Sequence, residues 1–456
     1  MSAFAPSRLL SEDIRPLALR LALPSLAAML FSGLSTLLDA LFLSRSGGAL
    51  FAAVGLCFPL VTLIQTIGFT LGMGAGCFIS RELGARASSA PARQAASSAL
   101  FVSLFLGGAL CLVGFLSPGG LLRLLGAKDD LLAAAIPYAR YLLCSAPLTC
   151  MSLVLGSLLR AQGFAAPGPA AYGAGALAGT GLCFLLLSRF SFGVHGAGIA
   201  LLAREGVVFF VFLLYMLRLR GALRVSIGDV SISPRVFLSI MRSGLPTLVR
   251  QGLSSVSGVV LARELALAGD YAVSGMGLTL RVVNLVSSGV IGFSQGFAPV
   301  CGANFGAGKM DRVQKAYRLC LRLTITALLA LGALVYFSSA PLFARFAPDA
   351  ASAAFGSAAL RAQSAVFFAQ GAVILMNMLT QSMGLPLRAT LIAASRQGYV
   401  LLPLLLILPR VFGPRGIIYA QPVSDLISLF IGWALIHFTD FSCAPCGCCG
   451  ARKGSR

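Results

Sequence analysis

The residues of this chain that could do chemistry are ionisable side chains set inside long apolar runs. Asp39 is the sharpest of them, an acid in the run Ser-Thr-Leu-Leu-Asp-Ala-Leu-Phe-Leu. A carboxylate in mid-membrane costs roughly 2.5–3.5 kcal/mol on insertion scales, so a proton, a bound cation, a partner or a water-filled cavity has to offset it. An acid that exchanges a proton or a cation there has the property an ion-coupled carrier needs. The plainer reading is an interfacial acid, because Asp39 lies about four residues, or ~6 Å of helical rise, from the end of its run. Arg204 and Glu205 form a second intramembrane pair of positions. Adjacent helical residues do not face each other, so the two are free to seek different partners. Arg250 and Gln251, Arg281 with Asn284 one turn on, and Asp425 after Pro422 complete the candidates for a substrate or cation pathway. Each also has a structural reading as an interhelical hydrogen bond or ion pair.

Other chemistry is poorly supplied. With only 2 histidines, a histidine-based metal or catalytic cluster cannot be built. No nucleophile–base pair stands out, so an enzyme is not expected. The stretch from Gly302 to Met310 imitates a phosphate loop, but its glycines are wrongly spaced and Met310 stands where Ser or Thr would hold magnesium. Of the 12 cysteines, at least seven lie in apolar runs, where Cys behaves as a small hydrophobe. The tail Cys443-Ala-Pro-Cys446-Gly-Cys448-Cys449 has metal-like spacing. It is read as a reduced cytoplasmic tail.

The elements that position these residues are membrane helices. Of 456 residues, 58% are hydrophobic and 11% are charged, less than half the ~25% charged share of soluble domains. That excludes a soluble enzyme, a disulfide scaffold and a disordered chain. The net charge of +21 sits in short loops rather than in one stripe, which argues for bilayer orientation and against nucleic acid. Apolar runs predict twelve spans, near 16–43, 50–79, 95–116, 131–157, 168–188, 195–217, 235–267, 271–301, 316–338, 354–383, 389–409 and 416–438. With the N-terminus in the cytoplasm, roughly 22 of the 35 basic residues fall inside and roughly seven outside. Both termini are therefore expected on the cytoplasmic side of the cell inner membrane. The first run is too long for a signal peptide and is read as the first span.

The two halves repeat. Gly33-Leu34-Ser35 returns as Gly252-Leu253-Ser254, Leu83-Gly84-Ala85 as Phe305-Gly306-Ala307, Gly163 as Gly384, and Gly196 as Gly416. Six spans separate the copies, so the repeat is parallel, and transporters place their site between such halves. The expected organisation is an N-lobe over 1–217, a cytoplasmic linker over 218–234, a C-lobe over 235–438 and a cytoplasmic tail over 439–456.

These residues also resemble a known family, multidrug and toxic compound extrusion (MATE), over nearly the full length. The most specific stretch runs from Gly292-Phe293-Ser294-Gln295-Gly296-Phe297-Ala298-Pro299 into Gly302-Ala303-Asn304-Phe305-Gly306-Ala307-Gly308-Lys309 and Asp311-Arg312. Pro246-x-x-x-Arg250-Gln251-Gly252 resembles the opening of the seventh span in a bacterial branch. Ile79 to Ala85, Leu159-Arg160-Ala161-Gln162-Gly163 and Ser395-Arg396-Gln397 are similar to further family motifs. The resemblance implies an all-α membrane protein of twelve transmembrane helices in two pseudo-symmetric six-helix lobes. It implies export driven by an inward H+ or Na+ gradient, with Asp39 as the coupling residue.

The chain departs from the family at the fifth and sixth spans. The expected Asn, Asp and Thr positions fall on Gly179, Cys183 and Leu201. Na+ needs several oxygen ligands and a proton needs one carboxylate, so H+ is placed ahead of Na+. The expectation is a monomeric antiporter of lipophilic or cationic compounds, with no cofactor besides the coupling ion and the lipid bilayer as its partner. Protonation of Asp39 would remove its charge and bend or release the first span. Two alternatives compete. One is a flippase for lipid-linked precursors, with Arg140, Arg250, Arg281 and Arg361 supplying a basic cavity. The other is a membrane scaffold or receptor without transport.

Overall fold

In the computed structural model, residues 6–45, 53–85, 90–124, 129–190, 192–218, 223, 227–230, 234–347 and 349–437 are described. The cysteine-rich tail and most of the expected linker lie outside them. The described residues are helical throughout, without strands. Twelve long helices follow in order, labelled α1 (Ile14–Arg45), α2 (Phe58–Ala85), α3 (Ala90–Leu116), α4 (Asp129–Ala161), α5 (Pro167–Ser188) and α6 (Gly193–Arg218) in the first lobe. The second lobe holds α7 (Pro234–Ala268), α8 (Asp270–Gly306), α9 (Met310–Phe346), α10, α11 and α12 (Pro414–His437). Helix α10 is two segments, Ala350–Ser364 and Phe367–Ser382, bent by 51°. Helix α11 is Pro386–Ala394 and Leu401–Phe412, joined by a π turn at Ser395–Tyr399.

Ten of these helices are long and apolar enough to cross a membrane, and α10 makes eleven if its bent halves count as one span. The remaining one, α7, is diluted by Arg242, Arg250, Gln251 and its serines. The observed helices outrun several predicted spans. Helix α9 begins at Met310 and α8 ends at Gly306, because charged loop residues continue a helix beyond the apolar stretch. A short helix at Pro6–Ser11 precedes the first span.

Among the described residues the lobes pack most closely at one end. One apolar cluster joins Leu9, Leu17 and Leu21 to Met73 and Cys77 of α2, to Phe297 and Cys301 of α8, and to Ile436 near the end of α12. The sealed end is therefore the one at which α1 begins and α12 ends. The backbones touch there. A Cβ on Gly296 would lie 2.4 Å from the Ala22 Cα, and one on Gly84 would lie 2.0 Å from the Ala303 carbonyl oxygen. Only glycine permits this approach, as in close-packed membrane helices generally. Gly302 and Gly306, in the stretch that imitates a phosphate loop, pack on Ser80 and Arg81 in the same way. They belong to a helix, not to a loop.

Polar groups fasten the seal. Arg81 donates across the lobe boundary to the Gln381 and Ser382 carbonyls at 3.3 Å and to the Ser243 hydroxyl at 3.0 Å. The Gln381 amide donates to the Ser243 carbonyl at 2.8 Å and the Thr247 hydroxyl at 3.0 Å. The short N-terminal helix is clasped by α8 and α9. Asn304 donates to the Leu9 carbonyl, Lys309 to that of Leu10 and Arg312 to that of Glu12. Cations at a helix C-terminus satisfy orphan carbonyls and complement the dipole. Toward the opposite end, the remaining apolar clusters belong chiefly to one lobe or the other.

Candidate functional site

Four helices of the N-lobe bring the polar site together. Asp39 projects from α1 toward α5 and α6. Its Oδ1 accepts from the Thr180 hydroxyl at 3.3 Å, and Thr180 lies 3.2 Å from the Ser35 hydroxyl, one turn before Asp39. Its Oδ2 forms an ion pair with Arg204 Nη1. Arg204 Nε also reaches Glu205 Oε1 at 3.4 Å, and Glu205 Oε2 accepts from the Thr149 hydroxyl of α4 at 3.1 Å. Arg204 thus bridges both acids, where the sequence reading left the adjacent pair free to part. All three charged side chains keep about a fifth of their surface exposed: 22% for Asp39, 19% for Arg204 and 19% for Glu205.

The departures at the fifth span acquire a physical reason. A Cβ at Gly179 would lie 2.6 Å from the Arg204 Cβ, so the glycine makes the space that the arginine stem occupies. Thr180, one residue on, turns about 100° from it and supplies the oxygen for Asp39. A guanidinium therefore lies against the acid, in a site short of hard oxygen ligands.

Glu205 opens onto a small cavity of about 60 Å³ within the N-lobe. Ser32 and Met29 of α1, Gln65 and Phe69 of α2, and Tyr172 of α5 line it, together with the Thr149 segment of α4. Its walls are mostly polar, with Met29, Phe69 and Leu153 as the apolar side chains, and Glu205 is the one charged group among them. Gln65, Thr149, Thr180 and Tyr172 were not singled out in the sequence. Polar residues at single positions of otherwise apolar helices are the only signal that could have marked them.

The C-lobe candidates do not join this cluster. Asp425 is completely buried and accepts from Arg396 Nε at 2.7 Å, the Gln363 amide at 2.9 Å and the Gln421 amide at 3.1 Å. Arg396 comes from the π turn of α11, whose loosened carbonyls accept from Ser424 and Ser257. Arg250 bonds its neighbour Gln251 at 3.1 Å and feels the like charge of Arg396. Arg281 and Asn284 are exposed on α8. They continue the stripe of Ser288 and Gly292, of which Gly292 abuts α1 near Ser25, so they face the gap where the lobes part. The four arginines of the flippase alternative are scattered. Arg140 lies over the Phe115 ring, and Arg361 bonds the Ser339 hydroxyl beside Tyr336.

Two repeated six-helix lobes, sealed at one end and holding a charged cavity in one of them, form the architecture of a membrane transporter. Comparison with known proteins specifies the class. A family model described as MatE matches residues 24–185 and again 246–407, two copies 222 residues apart (24 to 246, 185 to 407). The chain belongs to the MatE family.

The multidrug export protein MepA of Staphylococcus saprophyticus is 24% identical over 418 residues, which is 91% of this chain and 92% of that protein. MepA of Staphylococcus aureus strain NCTC 8325 is 24% identical over 423 residues, with the same coverage. A structure described as the outward-facing conformation of a multidrug resistance MATE family transporter of the MOP superfamily superposes with a TM-score of 0.89. It is 23% identical, over 95% of this chain and 98% of that one. A MOP superfamily transporter from Pyrococcus furiosus, described as having a reverse polarity of its binding pocket, gives a TM-score of 0.89 at 23% identity. It covers 97% of this chain and 99% of that one.

Proposed function

We propose that this protein exports lipophilic or cationic compounds in exchange for protons, by alternating access of its two lobes. The observation that carries the reading is the N-lobe cavity, with Glu205 at its wall and Asp39 one ion pair away. An acid on the cavity wall attracts an organic cation, and Phe69 and Tyr172, which also line it, supply rings for cation–π attraction. Asp39 is the coupling residue. Protons are favoured over Na+ because a guanidinium already lies against the acid, with only the Thr180 hydroxyl as a further ligand. Na+ would need several more oxygens and would meet the positive charge of Arg204.

In this reading the sealed end and both termini are cytoplasmic, in line with the basic loops. The conformation is then outward-facing. The chain acts as a monomer in the cell inner membrane, without a cofactor beyond the coupling ion. The MepA relatives, named as multidrug exporters, support the substrate class.

The test uses purified protein in sealed liposomes with a fluorescent lipophilic cation, under a pH gradient or a Na+ gradient imposed separately. The expected result is flux driven by the pH gradient alone and lost in Asp39→Asn. Flux driven by Na+, or equal flux in the variant, refutes the coupling assignment. No flux under either gradient refutes export of this substrate class.

A further inference from the structure

Counting charge in the N-lobe site gives an unequal set. Asp39 and Glu205 are two acids, and Arg204, in contact with both, is the one base between them. The other titratable groups that face Asp39 are Tyr138 of α4 and Cys183 of α5, and those that face Glu205 are Cys150 of α4 and Tyr172 of α5. With these four neutral and both acids ionised, the site carries one uncompensated negative charge.

Geometry says where that charge resides. Arg204 Nη1 is engaged on Asp39, while only its Nε reaches Glu205, at 3.4 Å. Glu205, not Asp39, is the acid on the cavity wall. Hydrogen bonds to ionised partners are ordinarily near 2.7–2.9 Å, so the contact with Glu205 is the slack one.

Resting on the export reading above, we propose that Arg204 is a tethered counter-cation that links proton uptake to substrate release. While Asp39 is ionised, Arg204 is held on it and Glu205 faces the cavity free to bind one organic monocation. When one proton binds the Asp39 carboxylate, the ion pair loses its attraction. The guanidinium then turns fully onto Glu205, on the same helix and already in contact, and displaces the monocation. One proton enters and one monocation leaves. The net charge of the site is zero in both loaded states, so the exchange is one for one and electroneutral. Arg204 acts through the two acids and is a positioning residue.

The experiment measures equilibrium binding of tetraphenylphosphonium to the full-length purified protein in detergent, from mildly alkaline to mildly acidic pH. Binding to wild type is expected to weaken on acidification by about 5- to 150-fold, the ordinary range for coupled sites. Asp39→Asn imitates the protonated acid and binds weakly at every pH. The decisive variant is Asp39→Asn with Arg204→Gln, which leaves Glu205 without its competitor. It is expected to bind as tightly as alkaline wild type and with little dependence on pH across this range. Glu205→Gln loses binding. A purely structural Arg204 predicts that the double variant is no better than Asp39→Asn, and that result overturns the proposal. So does tight binding by Asp39→Asn alone, or a wild type that binds no tetraphenylphosphonium. Each variant is admitted only if it elutes monodisperse, and Arg204→Lys, which keeps the charge, is expected to keep the pH dependence. Failure of the export reading would appear separately, as absent gradient-driven flux in liposomes, whereas the rescue is read from binding alone.

Discussion

Removing Asp425 from the C-lobe should destabilise the protein without touching substrate binding. The acid is completely buried, and the side chain of its partner Arg396 is 13% exposed. Three donors converge on it, at 2.7, 2.9 and 3.1 Å. Asp425→Ala strands a guanidinium in a low-dielectric interior and leaves two glutamine amides short of an acceptor. Breaking a buried pair from one side typically costs about 3–5 kcal/mol, equivalent to roughly 150- to 4,000-fold in the unfolding equilibrium at 1.4 kcal/mol per decade. Arg396→Met with Asp425→Leu removes both charges and should recover most of that loss, since apolar replacement of a buried pair is often neutral. The assay is a denaturant titration of all three proteins in one detergent, followed by tetraphenylphosphonium binding to each folded form. A loss under about 1 kcal/mol for Asp425→Ala would refute the account of Asp425 as a buried structural anchor. So would loss of binding with stability intact, which would place Asp425 in the substrate pathway.

Other consequences follow from the sealed end and the cavity wall. Arg81→Ala removes three hydrogen bonds between the lobes. Cys77 and Cys301, both buried in the seal, are expected to alkylate faster, as measured by peptide mass spectrometry. Gly296→Leu forces a side chain into the Ala22 backbone and should raise the same labelling further. Gly179→Ala pushes a methyl against the Arg204 stem, and should blunt the pH dependence of tetraphenylphosphonium binding while leaving the fold intact. Asp349, exposed at the start of α10, accepts from the Ser352 amide at 2.6 Å and its hydroxyl at 3.0 Å, which hold its carboxyl below the usual carboxylate range. That cap is therefore at full strength above the ordinary carboxylate pKa and is lost as pH falls through the lowered one. The protection of the Ser352 amide, the intrinsic exchange rate at each pH divided by the observed one, should fall on acidification, and Asp349→Ala should abolish the change.

Apolar run length and loop charge were enough to read the membrane class, and recurring glycine motifs at a constant offset the two-lobe repeat. The repeat spacing taken from Gly84 and Gly306 equals the spacing of the two family-model matches. What run length cannot report is helix outside the membrane. The N-terminal clasp at Pro6–Ser11 and the long end of α9 were missed for that reason. Asp39 was legible because an acid in an apolar run has a cost that must be offset. Thr180 was not, because a hydroxyl in a membrane helix usually satisfies itself on the preceding turn, as Thr36, Thr62 and Thr66 do here. Arg81 was counted among loop charges that orient the chain. Its role as an interlobe latch depends on where Gln381 and Ser382 end α10, some 300 residues away, and no local pattern contains that.

The internal repeat also explains why one lobe holds an open site and the other does not. The spacing from Gly196 to Gly416 carries Glu205 onto Asp425, so each lobe places an acid at the equivalent point of its sixth helix. In the C-lobe the π turn of α11 brings Arg396 onto that acid, and two glutamines complete its shell. The charge is matched one for one and the acid is sealed. In the N-lobe the base comes instead from the sixth helix itself, at Arg204, and a second acid from α1 draws it away. One acid is then left facing a cavity. From equivalent positions of the repeat, the C-lobe has a fixed internal pair and the N-lobe an arginine shared between two acids. If Arg204 is what links Asp39 to release, Arg204→Gln should lower the number of protons taken up per monocation released from one toward zero, measured as proton uptake on release of bound tetraphenylphosphonium in weakly buffered detergent solution. Unchanged uptake would mean that Arg204 does not link the two acids.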